Sequence, residues 1–235
     1  MLGLLLSAGP AVAACRSITF EDLPYTVCDV AAGEDLRLFH SGTAGAYGSF
    51  AAIEADLAES AQRLGFAMNA GMYHADLAPV GLFIDKGQEQ TRLVTRDGPG
   101  NFGLLPNGVF CVADSFAVIE SRRFAKSRPA CRFASQSGPM LVIDGDLHPR
   151  FLPGSPSRNV RNGVGVSADG QRAVFAISDQ PVNFHTFARL FRDGLGLPDA
   201  LYFDGSISRL FAPDLGRRDG GFPMGPIVGL VVPAG

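Results

Sequence analysis

At 235 residues, with 46% hydrophobic and 18% charged residues, the chain is long enough to bury one sizeable core and unlike a disordered polymer. Its 29 glycines and 16 prolines point to many tight turns rather than long helices. A formal net charge of −3, with no clustered basic and aromatic residues, excludes nucleic acid as an expected partner.

The first residues, Leu2 to Leu6 followed by Ala8, Ala11, Val12, Ala13 and Ala14, form an apolar stretch ending in small residues. Residues 1–14 are therefore expected to be a signal-peptide remnant, and 15–235 the domain it exports. The stretch is too short to cross a bilayer, so no integral membrane span is expected. Val12-Ala13-Ala14-Cys15 also fits a lipoprotein processing site, with Cys15 acylated. The order of the four cysteines suggests two local loops, Cys15 with Cys28 and Cys111 with Cys131, and buried free thiols are the alternative. Even parity favours cleavage without lipid, hence a periplasmic or secreted protein.

In chain order, Ile53, Leu57, Ala61 and Leu64 recur at helical spacing, which predicts a helix over 49–64 closed by Gly65. Phe66 to Met68 then reads as a short strand delivering Asn69, Ala70, Gly71 and Met72 to its end. Val80, Leu82 and Ile84 alternate before the turn Asp85-Lys86-Gly87. Leu104-Leu105, Pro106-Asn107-Gly108 and Val109 to Val112 read as strand, turn, strand, and Phe116 to Ile119 extends this into a meander. The basic stretch from Glu120 to Arg132 reads as a solvated loop. Met140 to Ile143 is a strand running into the hairpin turn Asp144-Gly145.

Ala173 to Ile177 is a continuous apolar strand, and Phe184, Phe187, Ala188 and Phe191 mark one helix face with Gly194 beyond its end. Ala200 to Phe203 then runs into Asp204-Gly205. This order fits a βαβ crossover, which would bring Asp179 and Asp204 to one sheet edge, where ligand sites collect. Pro226 to Val232 closes the chain with a strand. The predicted fold is α+β: a single domain with a mixed β-sheet, flanking helices and a β-rich meander.

Polar residues stand at strand ends among glycines: Asn69, Asp179, Asp204 and the segment Gln136-Ser137-Gly138-Pro139. Arg161, ahead of another strand, has the planar fork suited to phosphate. Four segments together resemble the phosphodiester glycosidase family. They are Met68-Asn69-Ala70-Gly71-Met72-Tyr73 with Pro79-Val80-Gly81-Leu82; Gln136-Ser137-Gly138-Pro139-Met140-Leu141; Arg161-Asn162-Gly163-Val164-Gly165; and Leu201-Tyr202-Phe203-Asp204-Gly205. The family's Asp-Gly-Gly-Gly-Ser-Ser loop falls on Asp204 to Arg209, so Asp204, Gly205 and Ser208 match while Ser206 and Ile207 replace glycines. Asp179 matches an aspartate that often follows the preceding family strand, with Gln180 in place of the usual glycine.

The resemblance implies hydrolysis at the anomeric carbon of a sugar-1-phosphodiester in a glycan; no cofactor is expected and no residue is assigned as a metal ligand. The leaving group is a phosphomonoester, so protonating it matters less than gripping phosphate and stabilising an oxocarbenium-like centre. Asp204 is expected as nucleophile or general base, and Arg161 with the amides near Gly205 as the phosphate grip. Asp179 would orient Arg161 or a water. Asn69, Gly71, Tyr73, Gln136, Ser137, Gly138, Gly205, Ser206 and Ser208 are the expected substrate contacts. The four histidines lack ligand spacing for zinc, and Ser137 lacks a complete nucleophile elbow. A phosphodiesterase cutting P–O, or a non-catalytic module binding anionic glycans, are the alternatives.

Overall fold

In the computed structural model, which describes residues 15–43 and 45–234, the chain opens on the hairpin β1 (Cys15–Phe20) and β2 (Leu23–Ala31). The expected signal segment 1–14 lies outside the described residues. β3 (Leu36–Phe39) and the short hairpin β4 (Ser41–Gly42) and β5 (Gly45–Ala46) lead to helix α1 (Phe50–Ala58). The Ser49 hydroxyl caps α1 by accepting from the Ala52 amide, and Phe50, Ile53 and Leu57 form its buried stripe. The helix is shorter than its apolar spacing predicts. Ala61 turns into the left-handed region at φ 52°, and Leu64 and Gly65 already belong to strand β6 (Gln62–Asn69).

β7 (Phe83–Asp85) and β8 (Gln88–Thr91) are joined by Lys86 and Gly87, both at positive φ, as the turn signal predicts. β9 (Gly108–Val112) and β10 (Phe116–Glu120) follow, and Leu104-Leu105 is loop rather than strand. The basic stretch holds helix α2 (Ser121–Ser127), capped by the Glu120 carboxylate, where a loop was expected. Then come β11 (Phe133–Ser137), β12 (Met140–Ile143), β13 (Asp146–Leu147), β14 (Asn162–Val166) and β15 (Arg172–Ser178). Helix α3 (Phe184–Arg189) runs on as a π-turn through Gly194, and the chain ends with β16 (Asp199–Asp204), β17 (Leu210–Ala212), β18 (Arg217–Arg218) and β19 (Ile227–Pro233).

The strands make three main sheets: β1-β2-β15-β14-β16-β12-β13, β10-β9-β11-β7-β8, and β18-β17-β6-β19-β3. β15 and β16 do not touch, because β14 lies between them and pairs antiparallel with both. They still run in the same direction, so the α3 crossover delivers Asp179 and Asp204 to one edge of the first sheet. The α+β class expected from the sequence is the one observed.

Each sheet turns one face to a common core and backs the other with a helix. Phe66 and Met68, Phe110 and Phe133, and Phe175 and Phe203 meet in the shared core. α3 covers the far face of the first sheet through Phe187 and Phe191, α1 covers the third through Ile53 and Leu57, and α2 covers the meander through Phe124. Disulfides join Cys15 to Cys28 and Cys111 to Cys131. The first engages the Cys15 sulfur that the lipoprotein reading would acylate.

Candidate active site

Three strand ends converge on two asparagines. β6 ends at Asn69, β14 begins at Asn162, and β16 ends at Asp204, which pairs in register with Asn162. Asn69 and Asn162 are fully buried. Asn162 Nδ2 donates to the Asn69 carbonyl at 2.8 Å and to its Oδ1 at 3.1 Å, while Asn69 Nδ2 donates back to Asn162 Oδ1 at 3.2 Å. The remaining acceptor capacity orders the loop: the Asp204 amide donates to Asn162 Oδ1 at 3.3 Å and the Arg209 amide to Asn69 Oδ1 at 3.0 Å. Two sheets and the 204–209 loop are thereby fixed by one pair of side chains.

The Asp204 carboxylate is held on one side only. Its Oδ1 accepts from the Gly205 amide at 2.6 Å and the Ser206 amide at 2.8 Å, and no described residue hydrogen-bonds Oδ2. Burial pushes its pKa above the ordinary carboxylate value, against the opposing pull of the Ser206, Gly205 and Ile207 amides. The Ser208 hydroxyl donates to the Asp204 carbonyl at 2.6 Å and so closes the turn. Tyr73 stands nearby: burial raises its pKa most, the Asp204 charge adds to that, and the Arg209 charge opposes it.

Arg161 occupies a different position from the one expected. Its side chain is 1% exposed, with the guanidinium 3.7 Å from the Phe184 ring centroid. Nε donates to the Val182 carbonyl at 2.9 Å, and the terminal nitrogens donate to the Tyr202 hydroxyl and the Ser157 carbonyl, each at 3.2 Å. No described carboxylate lies within salt-bridge distance. A buried cation without a counter-charge is costly, and desolvation accordingly lowers its pKa. Tyr202 stands between Arg161 and the Asp204 turn: a Cβ at Gly205 would collide with the Tyr202 hydroxyl. Arg161 is thus buried and turned to protein partners rather than to accessible space, which corrects its expected direct grip of a phosphate.

Asp179 reaches the same sheet edge but engages other groups. Its carboxylate takes Arg217 at 2.5 Å and the Thr26 hydroxyl at 3.2 Å, not Arg161. Gln136 is spent internally: Oε1 accepts from the Leu82 and Val94 amides at 3.0 Å, and Nε2 donates to the Val94 carbonyl and Ser121. Buried Ser137 donates to the Phe203 carbonyl at 2.9 Å. Gly71 and Gly138 allow close packing, since a Cβ would press on Ser135 or Asn107 respectively. The expected contacts thus divide. Asn69, Gly71, Gln136, Ser137 and Gly138 form a buried frame, and Tyr73, Asp204, Gly205, Ser206 and Ser208 face accessible space.

Three residues that the sequence reading passed over complete the site. Asn162 follows Arg161 in its motif, Tyr202 lies two positions before Asp204 on the same strand, and Arg209 ends the Asp204 loop. Among the described residues no group of three His, Cys, Asp or Glu is arranged to hold a metal.

A family model described as phosphodiester glycosidase matches residues 62–219. YigE of Escherichia coli (strain K12) is 40% identical over 167 residues, which is 71% of this chain and 65% of that protein, so the chain spans just under two thirds of its length. The catalytic domain of zebrafish N-acetylglucosamine-1-phosphodiester alpha-N-acetylglucosaminidase, auto-inhibited by its pro-peptide, aligns with TM-score 0.61 at 12% identity, over 95% of this chain and 85% of that one. A putative exported protein of Burkholderia pseudomallei K96243 aligns with TM-score 0.51 at 14% identity, over 88% and 74%. At such identities the two structures share the fold.

Proposed function

Because the chain belongs to the phosphodiester glycosidase family, we propose that it hydrolyses the anomeric C–O bond of a sugar-1-phosphodiester in an envelope or extracellular glycan, with Asp204 supplying the carboxylate. The observation that carries this reading is the one-sided restraint of Asp204. Two amides fix Oδ1 while Oδ2 has no partner among the described residues, and around the turn Ser206 is exposed and Tyr73, which feels the Asp204 charge, is half-buried. A carboxylate so oriented, with its pKa raised by burial, is a stronger base than a free aspartate.

In the reaction a water oxygen bonds to the anomeric carbon, directly or after Asp204 has done so, and the bond to the bridging oxygen breaks. The electron pair leaves on the phosphomonoester, and the water proton passes through Asp204 to solvent. Arg161 acts at one remove. Its uncompensated charge lies behind Tyr202 and favours an anion beside the Asp204 turn. Asp179 supports the edge by holding Arg217. Two disulfides favour an oxidising compartment, in line with a periplasmic or secreted protein.

Hydrolysis of sugar-1-phosphodiesters in heavy-oxygen water tests the reading. Label is expected in the released sugar and absent from phosphate. Label in phosphate alone would show P–O cleavage and overturn the assignment, and binding without any turnover would turn it into a glycan-binding role.

A further inference from the structure

Arg209, which ends the Asp204 loop, lines a cavity of about 370 Å³, in the size range of small-ligand pockets. Phe50, Phe211 and Met224 give it an apolar floor, and Arg209 and Arg218 line its rim. Asp219, Gly220, Gly221 and Met224 line it from the loop 219–225, whose backbone is fixed at three successive residues, 222 to 224. Arg209 donates to the Phe222 carbonyl, Tyr73 Oη donates to the Pro223 carbonyl at 3.0 Å, and the Met224 amide donates to the Gly48 carbonyl at 2.8 Å. On this anchored backbone the Phe222 side chain is 80% exposed. A large aromatic held in water by a restrained loop costs solvation without contributing to the core.

The charges at the cavity are unbalanced. Among the described residues neither Arg209 nor Arg218 has a carboxylate within salt-bridge distance, and Arg218 lies over the Phe211 ring at 4.9 Å. The acids that line the cavity are committed: Glu54 accepts from the Leu64 amide at 2.5 Å, and Asp219 takes Arg217 and the Leu210 amide. The Ser49 hydroxyl caps α1. Arg209 also connects the two places, since its amide is bound to Asn69 in the Asp204 network while its guanidinium lines the cavity.

We propose that this cavity is the leaving-group subsite, taking the phosphate ester of an apolar alcohol, with the phosphate on Arg209 and the alkyl or aryl part between Phe222 and the apolar floor. The inference rests on Asp204 as the reacting carboxylate for its orientation: sugar towards Asp204, alcohol away from it. A second sugar in place of the apolar alcohol fits poorly. Its hydroxyls would lose water for the apolar floor, where Ser49, Glu54 and Asp219 are already bonded to the protein.

Calorimetric titration of the unmodified protein with hexyl phosphate, glycerol phosphate and inorganic phosphate tests this without turnover. Hexyl phosphate is expected to bind about tenfold or more tighter than glycerol phosphate, from the extra apolar surface buried. Phe222→Ala should remove most of that preference and leave inorganic phosphate binding unchanged, and Arg209→Met should weaken all three ligands. Equal binding of hexyl and glycerol phosphate, no hexyl phosphate binding at millimolar concentration, or indifference to both substitutions overturns the subsite. These outcomes leave Asp204 untouched, whereas label in phosphate alone in heavy-oxygen water would overturn Asp204 and leave binding as measured.

Discussion

Asn69 and Asn162, 93 residues apart in sequence, face each other with their side-chain amides reciprocally hydrogen-bonded inside the protein. Asn162→Asp preserves shape but removes the Nδ2 donor, and sets an acceptor against the Asn69 carbonyl and Oδ1. Each buried group left unpaired costs about 1–3 kcal/mol, so a fall of that size in unfolding free energy is expected. Sugar release should fall with it, because the Asp204 turn hangs on the same pair. Denaturant unfolding indistinguishable from wild type would show that the pair does not fix the site.

Phe175 is where the three sheets meet. Its ring centroid lies 5.3 Å from Phe66, 5.7 Å from Phe110 and 6.5 Å from Phe203. Phe175→Ala should therefore cost about 3–5 kcal/mol, through lost burial and the cavity left behind. Phe222→Ala, on the exposed loop, should change stability by no more than about 0.5 kcal/mol. Midpoints of urea unfolding for the two variants make the comparison, and similar shifts would contradict the placement of the core.

The disulfides close loops of 13 and 20 residues. Loop entropy assigns each about 3 kcal/mol. Cys111 and Cys131 also pack with Phe124 of α2 against the meander, so replacing both by Ala should loosen that helix as well as lower the melting temperature. Hydrogen exchange reads the local effect: faster exchange in 121–127 is expected, with β19 unaffected. Uniform acceleration across the chain would mean that the bond acts only globally.

Much of the frame was legible because local chemistry dictated it. Lys86-Gly87 and Asp144-Gly145 carry turn signals, and both occupy the left-handed region that such turns need. The β1–β2 hairpin gave no such sign, since Glu21 and Asp22 take φ 50° and 59° without a glycine. Leu64 kept the helical phase of Ile53 and Leu57 although the chain had already turned at Ala61. At the site, the motif residues were found but not their orientation. Whether Gln136, Ser137 or Arg161 faces a ligand or the interior depends on Val94, Phe203 and Val182, which are 42, 66 and 21 residues away. No local pattern encodes those partners.

Asp204 makes the sharpest demand on pH. Burial, the largest influence, raises its folded pKa above the ordinary 3.8, so the fold favours the protonated carboxyl more than the unfolded chain does. Stability from this group is then complete below the unfolded pKa, falls as pH rises through the window up to the folded pKa, and stays lost above it. Asp204→Asn does not titrate there and keeps an oxygen for the Gly205 and Ser206 amides. The variant should match wild type in melting temperature at the acid end and exceed it at neutral pH, while sugar release drops by about 10²–10⁴-fold. The acid limb of the wild-type rate profile should lie above 3.8, because the group must ionise to act. A variant less stable than wild type at neutral pH, with the acid limb at or below that value, would place Asp204 among structural caps and remove it from the chemistry.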